Sequence, residues 1–204
     1  MTRWDSFFRE KITKIIQDHR RILDIGGGLR ISKDKSNRFD LRRAWIIPLM
    51  KDHSYVVMDP VPDYHPDVVG DIHAMPFPDS SEEAILCLAV LEHIENPIKA
   101  VSEVRRVLKS GGATLFYVPF LFYYHAEPGY YKDYWRFSHD AIEMLFRDFS
   151  KVEIVKVRGA LETWIHISPL GRITPIKYLA RFLDEVTGKS KSNQVSGYYI
   201  YAEK

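Results

Sequence analysis

Short continuous apolar runs and longer stretches with helical spacing follow one another along this chain. Seven runs predict strands, at residues 22–25, 54–58, 67–69, 84–89, 113–118, 152–157 and 197–202. The run 84–89 contains no charged residue, and continuous apolar runs are typical of parallel strands that are covered on both faces. Before the first strand, apolar residues at helical spacing predict an amphipathic helix over residues 4–19.

Two further helices are predicted between the later strands. The first begins at Asn96-Pro97, a cap residue followed by a proline at the first helical position, and is expected to end at Gly111-Gly112. Its apolar face is expected to contain Ile98, Val101, Val104 and Leu108. The second covers residues 138–149 with Ser138 as its N-cap. Strands that alternate with helices predict a doubly wound, Rossmann-like α/β fold, and we expect residues 1–204 to form one domain.

Two segments interrupt this alternation. Residues 29–43 are rich in charged and polar side chains, namely Arg30, Lys33, Asp34, Lys35, Ser36, Asn37, Arg38, Asp40, Arg42 and Arg43. Such an inserted segment is either a solvated loop or a lid over a binding site. Residues 159–190 are apolar and basic, and Pro169 and Pro175 divide them into two short helices. We expect this cap segment to be a flap over the substrate or a dimer surface, with an interfacial membrane helix as the alternative.

The composition narrows the class of protein. Of 204 residues, 46% are hydrophobic and 27% are charged, and the net charge is +2, which is typical of a globular protein and too mild for a nucleic-acid partner. Charges near the N-terminus and the lack of long apolar runs argue against a signal peptide and stable membrane insertion. With one cysteine, Cys87, a cytoplasmic protein is expected. The eight histidines show no metal-ligand spacing, so no metal is expected.

The glycine run 26–28 follows the first predicted strand and Asp24. A turn without Cβ atoms at the carboxyl end of a strand lets the backbone approach a ligand closely, so a nucleotide-like cofactor is predicted here. A nicotinamide-dependent oxidoreductase is one class with this scaffold. Its Gly-x-Gly-x-x-Gly fingerprint would place a third glycine at position 31, which is occupied by Ile31.

The stretch Ile22-Leu23-Asp24-Ile25-Gly26-Gly27-Gly28 resembles the first motif of the class I S-adenosylmethionine-dependent methyltransferases. Further stretches resemble later motifs of that family in the same order: Asp59 at the end of the second strand, Gly70 to Asp79, Leu88 to Ile94, and Leu108 to Gly112. The similarity covers residues 22–118 and points to the type-11 subgroup. It implies S-adenosylmethionine as the cofactor and a seven-stranded, mostly parallel sheet whose last strand is antiparallel.

The resemblance also implies a cofactor site. Its residues are Asp24, Gly26, Gly27, Gly28, Asp59, Pro60, Asp71, Ile72, Leu88 and Ala89. The glycine turn is expected to pass beneath the amino-acid part of the cofactor, and Asp24 to bind its ammonium group directly or through water. Asp59 is expected to accept hydrogen bonds from both ribose hydroxyls and Asp71 from the adenine amino group. A binding module that keeps this site without catalysis is the remaining alternative.

The acceptor side is predicted after the fifth strand, in residues 120–138. Here Asp133-Tyr134-Trp135-Arg136-Phe137-Ser138 resembles a block in some type-11 methyltransferases. The candidate bases are His125, His93 and Asp133. The candidate acceptor contacts are Tyr131, Tyr134 and Arg136, and an arginine suits a carboxylate or phosphate. Alternatively, Arg136 forms a structural ion pair and His125 bonds a carbonyl. We expect a small-molecule or glycan-like acceptor, methylated at oxygen; residues 88–91 lack the Asn/Asp-Pro-Pro-Tyr/Phe box of nucleic-acid nitrogen methylation.

Overall fold

The computed structural model describes residues 1–34 and 39–204. Four residues of the basic insertion, Lys35, Ser36, Asn37 and Arg38, lie outside the described residues. The described chain forms a sheet from β1 (Arg21–Ile25), β2 (Ser54–Asp59), β3 (Val68–Val69), β4 (Glu82–Leu88), β5 (Leu108–Pro119), β6 (Lys151–Val157) and β7 (Gly197–Glu203). Each of these strands overlaps one of the seven runs that the apolar pattern predicted.

The seven strands have the order β3-β2-β1-β4-β5-β7-β6. The β3-β2-β1-β4-β5 pairs are parallel, whereas β7 runs antiparallel to both of its neighbours. The fold prediction, including the antiparallel last strand, is therefore confirmed. The chain order reverses between β1 and β4, so the connections after these two strands diverge and leave a crevice at their carboxyl ends.

Helices cover both faces of this sheet. They are α1 (Arg3–Asp18), α2 (Pro97–Val107), α3 (His139–Phe146), α4 (Ala160–Ile167) and α5 (Thr174–Val186). Short 3-10 segments lie at Leu41–Met50, Pro62–Tyr64, Leu91–His93, Pro169–Arg172 and Lys189–Lys191. The predicted N-caps form, because the side chain of Asn96 accepts from Lys99 N and that of Ser138 accepts from Ala141 N.

The core has one layer on each side of the sheet. Leu23 and Ile25 of β1 pack with α2 and α3 on one face, and Ile22 packs with α1 on the other. Alternate residues of β4 divide in the same way, with Ile85 on the first side and Leu86 on the second. The strands are apolar at successive positions because both of their faces are covered.

The end of α2 differs from the prediction. The helix ends at Val107 and β5 begins at Leu108, so Gly111 and Gly112 lie inside the strand. A Cβ on Gly112 would lie 2.8 Å from the Glu83 carbonyl oxygen, which shows that the two strands approach closely at this point. Ile98 was expected on the apolar face but is exposed. The buried face of α2 consists of Pro97, Ala100, Val101, Val104 and Val107.

The cap segment 159–190 folds as a pair of packed helices. Both carboxylate oxygens of Asp184 on α5 accept backbone N–H groups at the start of α4, from Leu161 and Glu162, at 2.8 Å each. Arg181 and Glu162 form a second link between the helices. Pro175 lies in the first turn of α5, where it starts the helix rather than breaking one. Among the described residues, no helix has the length and apolar character that crossing a bilayer requires.

Candidate functional site

A cavity of about 820 Å³ opens at the carboxyl ends of the parallel strands. It is lined by the loops after β1, β2 and β4 and by residues 124–132 and Tyr134. Nearly all of the predicted cofactor residues line it, namely Gly26, Gly28, Asp59, Pro60, Asp71, Ile72, Leu88 and Ala89. The topology therefore brings together residues that are widely separated in the chain.

The glycine turn requires glycine at two of its positions. Gly26 has a φ of +74°, and a Cβ there would lie 2.6 Å from a methyl carbon of Val90. A Cβ on Gly28 would lie 2.6 Å from the Leu88 carbonyl oxygen. The backbone thus passes directly against the end of β4, and a ligand can approach it from the cavity. Gly27 also has a positive φ but does not line the cavity.

The side chain of Asp24 supports this turn from below. It is fully buried and accepts from Gly28 N at 3.1 Å, Leu29 N at 2.9 Å and the Tyr55 hydroxyl at 2.6 Å. Burial raises the pKa of Asp24 to about 6. Asp24 does not line the cavity. In this structure the carboxylate holds the turn in place instead of facing the cavity, and a contact with the ammonium group stays a prediction.

Asp59 has the placement expected of a ligand-binding carboxylate. It is the last residue of β2, is 8% exposed and lines the cavity. One oxygen accepts from Val61 N at 2.8 Å, and burial raises the pKa of Asp59. Asp71 also lines the cavity, but its side chain is exposed and accepts from His73 N at 2.8 Å.

Ala89 adopts a conformation that its residue type disfavours. Its φ is +58° in the left-handed region, which costs about 1–2 kcal/mol for a residue with a Cβ. Its N–H donates to the Tyr117 carbonyl at 3.0 Å, and the chain turns there from β4 into the 3-10 segment Leu91–His93. The strain thus lies on the cavity wall, at a residue predicted to contact the cofactor.

Two histidines and a buried glutamate meet at the acceptor side of the cavity. The rings of His93 and His125 pack edge to face with their centroids 4.9 Å apart, and both line the cavity. The Glu92 carboxylate lies 3.6 Å from His125 Nε2 and raises the pKa of His125. In the sequence, Glu92 was noted only within the family-like stretch Leu88 to Ile94 and not as a site residue. What could have pointed to it is a carboxylate directly before His93 and after the apolar residues 88–91.

Asp133 and Arg136 take structural roles. Neither residue lines the cavity. The side chain of Asp133 is fully buried and accepts from His125 N at 2.8 Å, and the Arg136 guanidinium lowers the pKa of Asp133 to about 2. Arg136 also donates to the carbonyls of Phe122, Tyr123 and Trp135. Asp133 is thus corrected as a candidate base and Arg136 as an acceptor contact, because each is already occupied by the other.

The same block ties the cavity wall to the segment after β4. Tyr134 N and Trp135 N donate to the Glu92 carbonyl at 2.7 and 3.2 Å, and Trp135 Nε1 donates to the Ile94 carbonyl at 2.8 Å. The Tyr134 hydroxyl donates to Glu95, and the Tyr131 hydroxyl donates to Glu127 at 2.9 Å. Both tyrosines line the cavity, and their contact with an acceptor stays a prediction.

The cap segment does not close the cavity. Among the residues that the structure describes, none from 159–190 lines it. The link between them is indirect, since the Tyr123 hydroxyl donates to the His166 carbonyl at 2.9 Å. Whether this segment is a flap over the substrate or a dimer surface stays a prediction. In the described part of the basic insertion, Arg30 lines the cavity and Arg43 donates to the Gly28 carbonyl at 2.6 Å.

Comparisons with known sequences agree with this arrangement. Residues 53–116 match the family model described as "Methyltransferase domain", which represents the type-11 methyltransferases. A protein of Encephalitozoon cuniculi whose name marks it as a candidate methyltransferase is 43% identical over 54 residues, covering 25% of this chain and 26% of that protein. The chain covers only between 13% and 26% of the length of the curated relatives it matches.

Solved structures share the fold over almost the whole chain. A SAM-dependent methyltransferase from Archaeoglobus fulgidus superposes with a TM-score of 0.61 at 16% identity, covering 98% of this chain and 92% of that one. Phosphoethanolamine N-methyltransferase 2 of Haemonchus contortus was solved with S-adenosyl-L-methionine. It superposes with a TM-score of 0.52 at 13% identity, covering 96% of this chain and 52% of that one. Residues 53–116 thus resemble the type-11 methyltransferases in sequence, and the described chain has the fold of S-adenosylmethionine-dependent methyltransferases, in agreement with the predicted family and cofactor.

Proposed function

We propose that the protein transfers a methyl group from S-adenosylmethionine to a hydroxyl group of a small-molecule or glycan-like acceptor. The observation that carries this proposal is that one cavity of about 820 Å³ is lined both by the glycine turn and by His93 and His125. Its volume is within the usual range for small-molecule sites and leaves room beside a cofactor for an acceptor.

The cofactor fits the floor of this cavity by its chemistry. The open backbone at Gly26 and Gly28 suits the methionine part, and the buried carboxylate of Asp59 suits the two ribose hydroxyls. Pro60, Asp71 and Ile72 surround the space for the base, and Leu88 and Ala89 form an apolar wall. Asp24 contributes by fixing the turn.

Methyl transfer to oxygen explains the histidine pair. The sulfonium already has an activated leaving group, so the protein's main task is to align the acceptor with the methyl carbon. A hydroxyl acceptor must also lose a proton, and His93 and His125 are the imidazoles on the acceptor side. The pairing of Arg136 with Asp133 removes the reason to expect a carboxylate or phosphate on the acceptor.

Two other functions remain as competing hypotheses. A nicotinamide-dependent oxidoreductase shares the scaffold, and a non-catalytic module would bind S-adenosylmethionine without turnover. Calorimetric titration with S-adenosylmethionine, S-adenosylhomocysteine and NAD separates the first alternative. Micromolar binding of both methionine derivatives supports the proposal, whereas binding of NAD alone contradicts it. An acceptor screen with labelled methyl groups then distinguishes an enzyme from a binding module.

The expectations about partners and location stay predictions. The outer face of α5 would form the interface of a homodimer. Its exposed apolar residues are Tyr178, Leu179, Phe182 and Val186. Light scattering at several concentrations checks this expectation. A cytoplasmic location and the lack of a nucleic-acid partner likewise await measurement.

A further inference from the structure

We propose that Glu92, His93 and His125 bind a first-row transition-metal dication at the acceptor side of the cavity. The site rests on geometry that is independent of the reaction. Its catalytic role, which is to bind the acceptor hydroxyl, rests on the function proposed above.

The two imidazoles are oriented as metal ligands usually are. His93 Nδ1 donates to the Lys132 carbonyl at 2.6 Å, and His125 Nδ1 donates to the Tyr123 carbonyl at 2.9 Å. A carbonyl oxygen only accepts, so each ring carries its proton on Nδ1 and, when neutral, presents a lone pair on Nε2. A hydrogen bond from the second nitrogen to a backbone carbonyl is the usual support of a histidine ligand.

The third group is a carboxylate whose buried charge is not balanced by hydrogen bonds. Glu92 is 1% exposed, and its Oε2 has no hydrogen-bond partner within the described chain. Its Oε1 lies 3.6 Å from His125 Nε2, which is beyond hydrogen-bond distance. Burying a carboxylate is costly unless it is paired or coordinates a metal. Protonated His125 can pair with Oε1 but leaves Oε2 unsatisfied, and a cation between Glu92 and the imidazoles would be a partner for the whole carboxylate.

The spacing and the type of the three ligand atoms fit a transition metal. The atoms all lie within 4.8 Å of one another. Ligands at about 2.0–2.2 Å from an ion are up to about 4 Å apart, so a small inward shift of the side chains completes the site. Two imidazoles and one carboxylate suit Zn²⁺, Mn²⁺, Fe²⁺ or Co²⁺, whereas Mg²⁺ and Ca²⁺ prefer oxygen ligands.

The surrounding structure holds the ligands in place. The buried Asp133 accepts from His125 N, and the Glu92 carbonyl accepts from Tyr134 N. Both imidazoles line the cavity, so the remaining coordination positions of the ion face the space for the acceptor. Two neutral imidazoles, one carboxylate and a dication have a net charge of +1, which an alkoxide would neutralise.

The chemical role follows from these open positions. With the ion bound, His93 and His125 act as ligands rather than as bases, because their Nε2 lone pairs are used. A hydroxyl bound to a divalent ion loses its proton to solvent at much lower pH than a free hydroxyl. The resulting oxygen lone pair forms the bond to the methyl carbon while the carbon–sulfur bond breaks. That electron pair returns to sulfur, and S-adenosylhomocysteine and the methyl ether are the products. No oxidant or reductant is needed.

The site is tested by treating the protein with a chelator and then titrating it with metal ions. Co²⁺ binding is followed by its visible absorption and Zn²⁺ binding by calorimetry. We expect one site of micromolar affinity or better, weakened at least tenfold in Glu92→Gln, His93→Ala and His125→Ala. The matched control is His139→Ala. It alters an exposed cluster of His139, Asp140 and Glu143 on α3, and should leave the affinity unchanged.

Titration of each variant with S-adenosylmethionine and a melting curve verify that it is folded. Affinity weaker than millimolar, or equal affinity in the wild type and in folded Glu92→Gln and His125→Ala, would overturn the proposal. Methyl transfer that persists in the metal-free protein would also overturn the catalytic role while leaving the methyltransferase function intact. Conversely, one tight metal site without methyl transfer to any acceptor would support the site and contradict the proposed function.

Discussion

Asp133 and Arg136 form a two-point ion pair, with Arg136 Nη1 2.6 Å from Asp133 Oδ1 and Nη2 2.7 Å from Oδ2. The carboxylate also accepts from His125 N, so the pair fixes the loop that carries this imidazole. The Asp-x-x-Arg spacing in the block 133–138 thus has a structural purpose: it positions the acceptor side of the cavity without entering it.

Replacing Asp133 with asparagine should destabilise the protein by about 3 kcal/mol, because it leaves a partly buried guanidinium without its counter-charge. Urea denaturation measures this loss. The matched control is Arg42→Ala, which removes an exposed pair with Asp40 and should change stability by less than about 1 kcal/mol. Equal losses in the two variants would contradict the structural role of the Asp133–Arg136 pair.

Asp59→Ala should weaken S-adenosylmethionine binding more than tenfold, or about 1.4 kcal/mol, because it removes the buried carboxylate proposed to bind the ribose. Calorimetry with S-adenosylhomocysteine gives the affinity. Asp18→Ala, on the exposed end of α1, serves as the control. Unchanged affinity in a folded Asp59→Ala protein would place the ribose contact at another residue.

Gly28→Ala should reduce both stability and cofactor affinity, because the new Cβ would lie 2.6 Å from the Leu88 carbonyl oxygen and 2.7 Å from its Cβ. Overpacking of this kind costs about 1–3 kcal/mol. Gly188→Ala is the comparison, since a Cβ there meets nothing within 4 Å and only its φ of +70° is unfavourable. Its cofactor affinity should equal that of the wild type. Wild-type affinity in Gly28→Ala would show that the turn tolerates a side chain.

His166 should make the cap segment sensitive to acid. Burial lowers the pKa of His166 to about 4, with Arg158 and Lys177 as further causes. The unfolded chain, with a histidine pKa near 6.5, therefore binds more protons than the folded chain between about pH 6.5 and pH 4. The resulting contribution to stability is complete above about pH 6.5 and is lost as the pH falls toward 4.

The groups around His166 are the rings of Phe122 and Tyr123, together with Arg158 and Lys177. The rate of amide hydrogen exchange in α4 and α5, corrected for the intrinsic exchange rate, should increase as the pH falls from 6.5 to 4. The variant His166→Gln should lessen this pH dependence. An identical pH profile in His166→Gln would assign the acid sensitivity to other groups.

The sequence by itself determined the order of the elements and the cofactor side of the cavity. Seven short runs rich in apolar residues predicted every strand of the observed sheet. Several of these runs, such as 84–89, are continuous, because a strand covered on both faces needs apolar residues at successive positions. The glycine turn was also readable, because a Cβ at Gly26 would meet the Val90 side chain and a Cβ at Gly28 would meet the Leu88 backbone. Both signals are local, so they can be read without knowing which strands are neighbours.

Only the tertiary structure decided what the charged residues do. Asp24 and Asp133 looked like ligand-binding or catalytic carboxylates, yet each is buried and already bonded within the protein. Glu92 was only one residue of the family-like stretch Leu88 to Ile94, yet it lies buried beside His125, which is far along the chain. The apolar pattern reports only whether each strand is covered. The direction in which a carboxylate points and the partner that it contacts depend on segments that are distant in the chain.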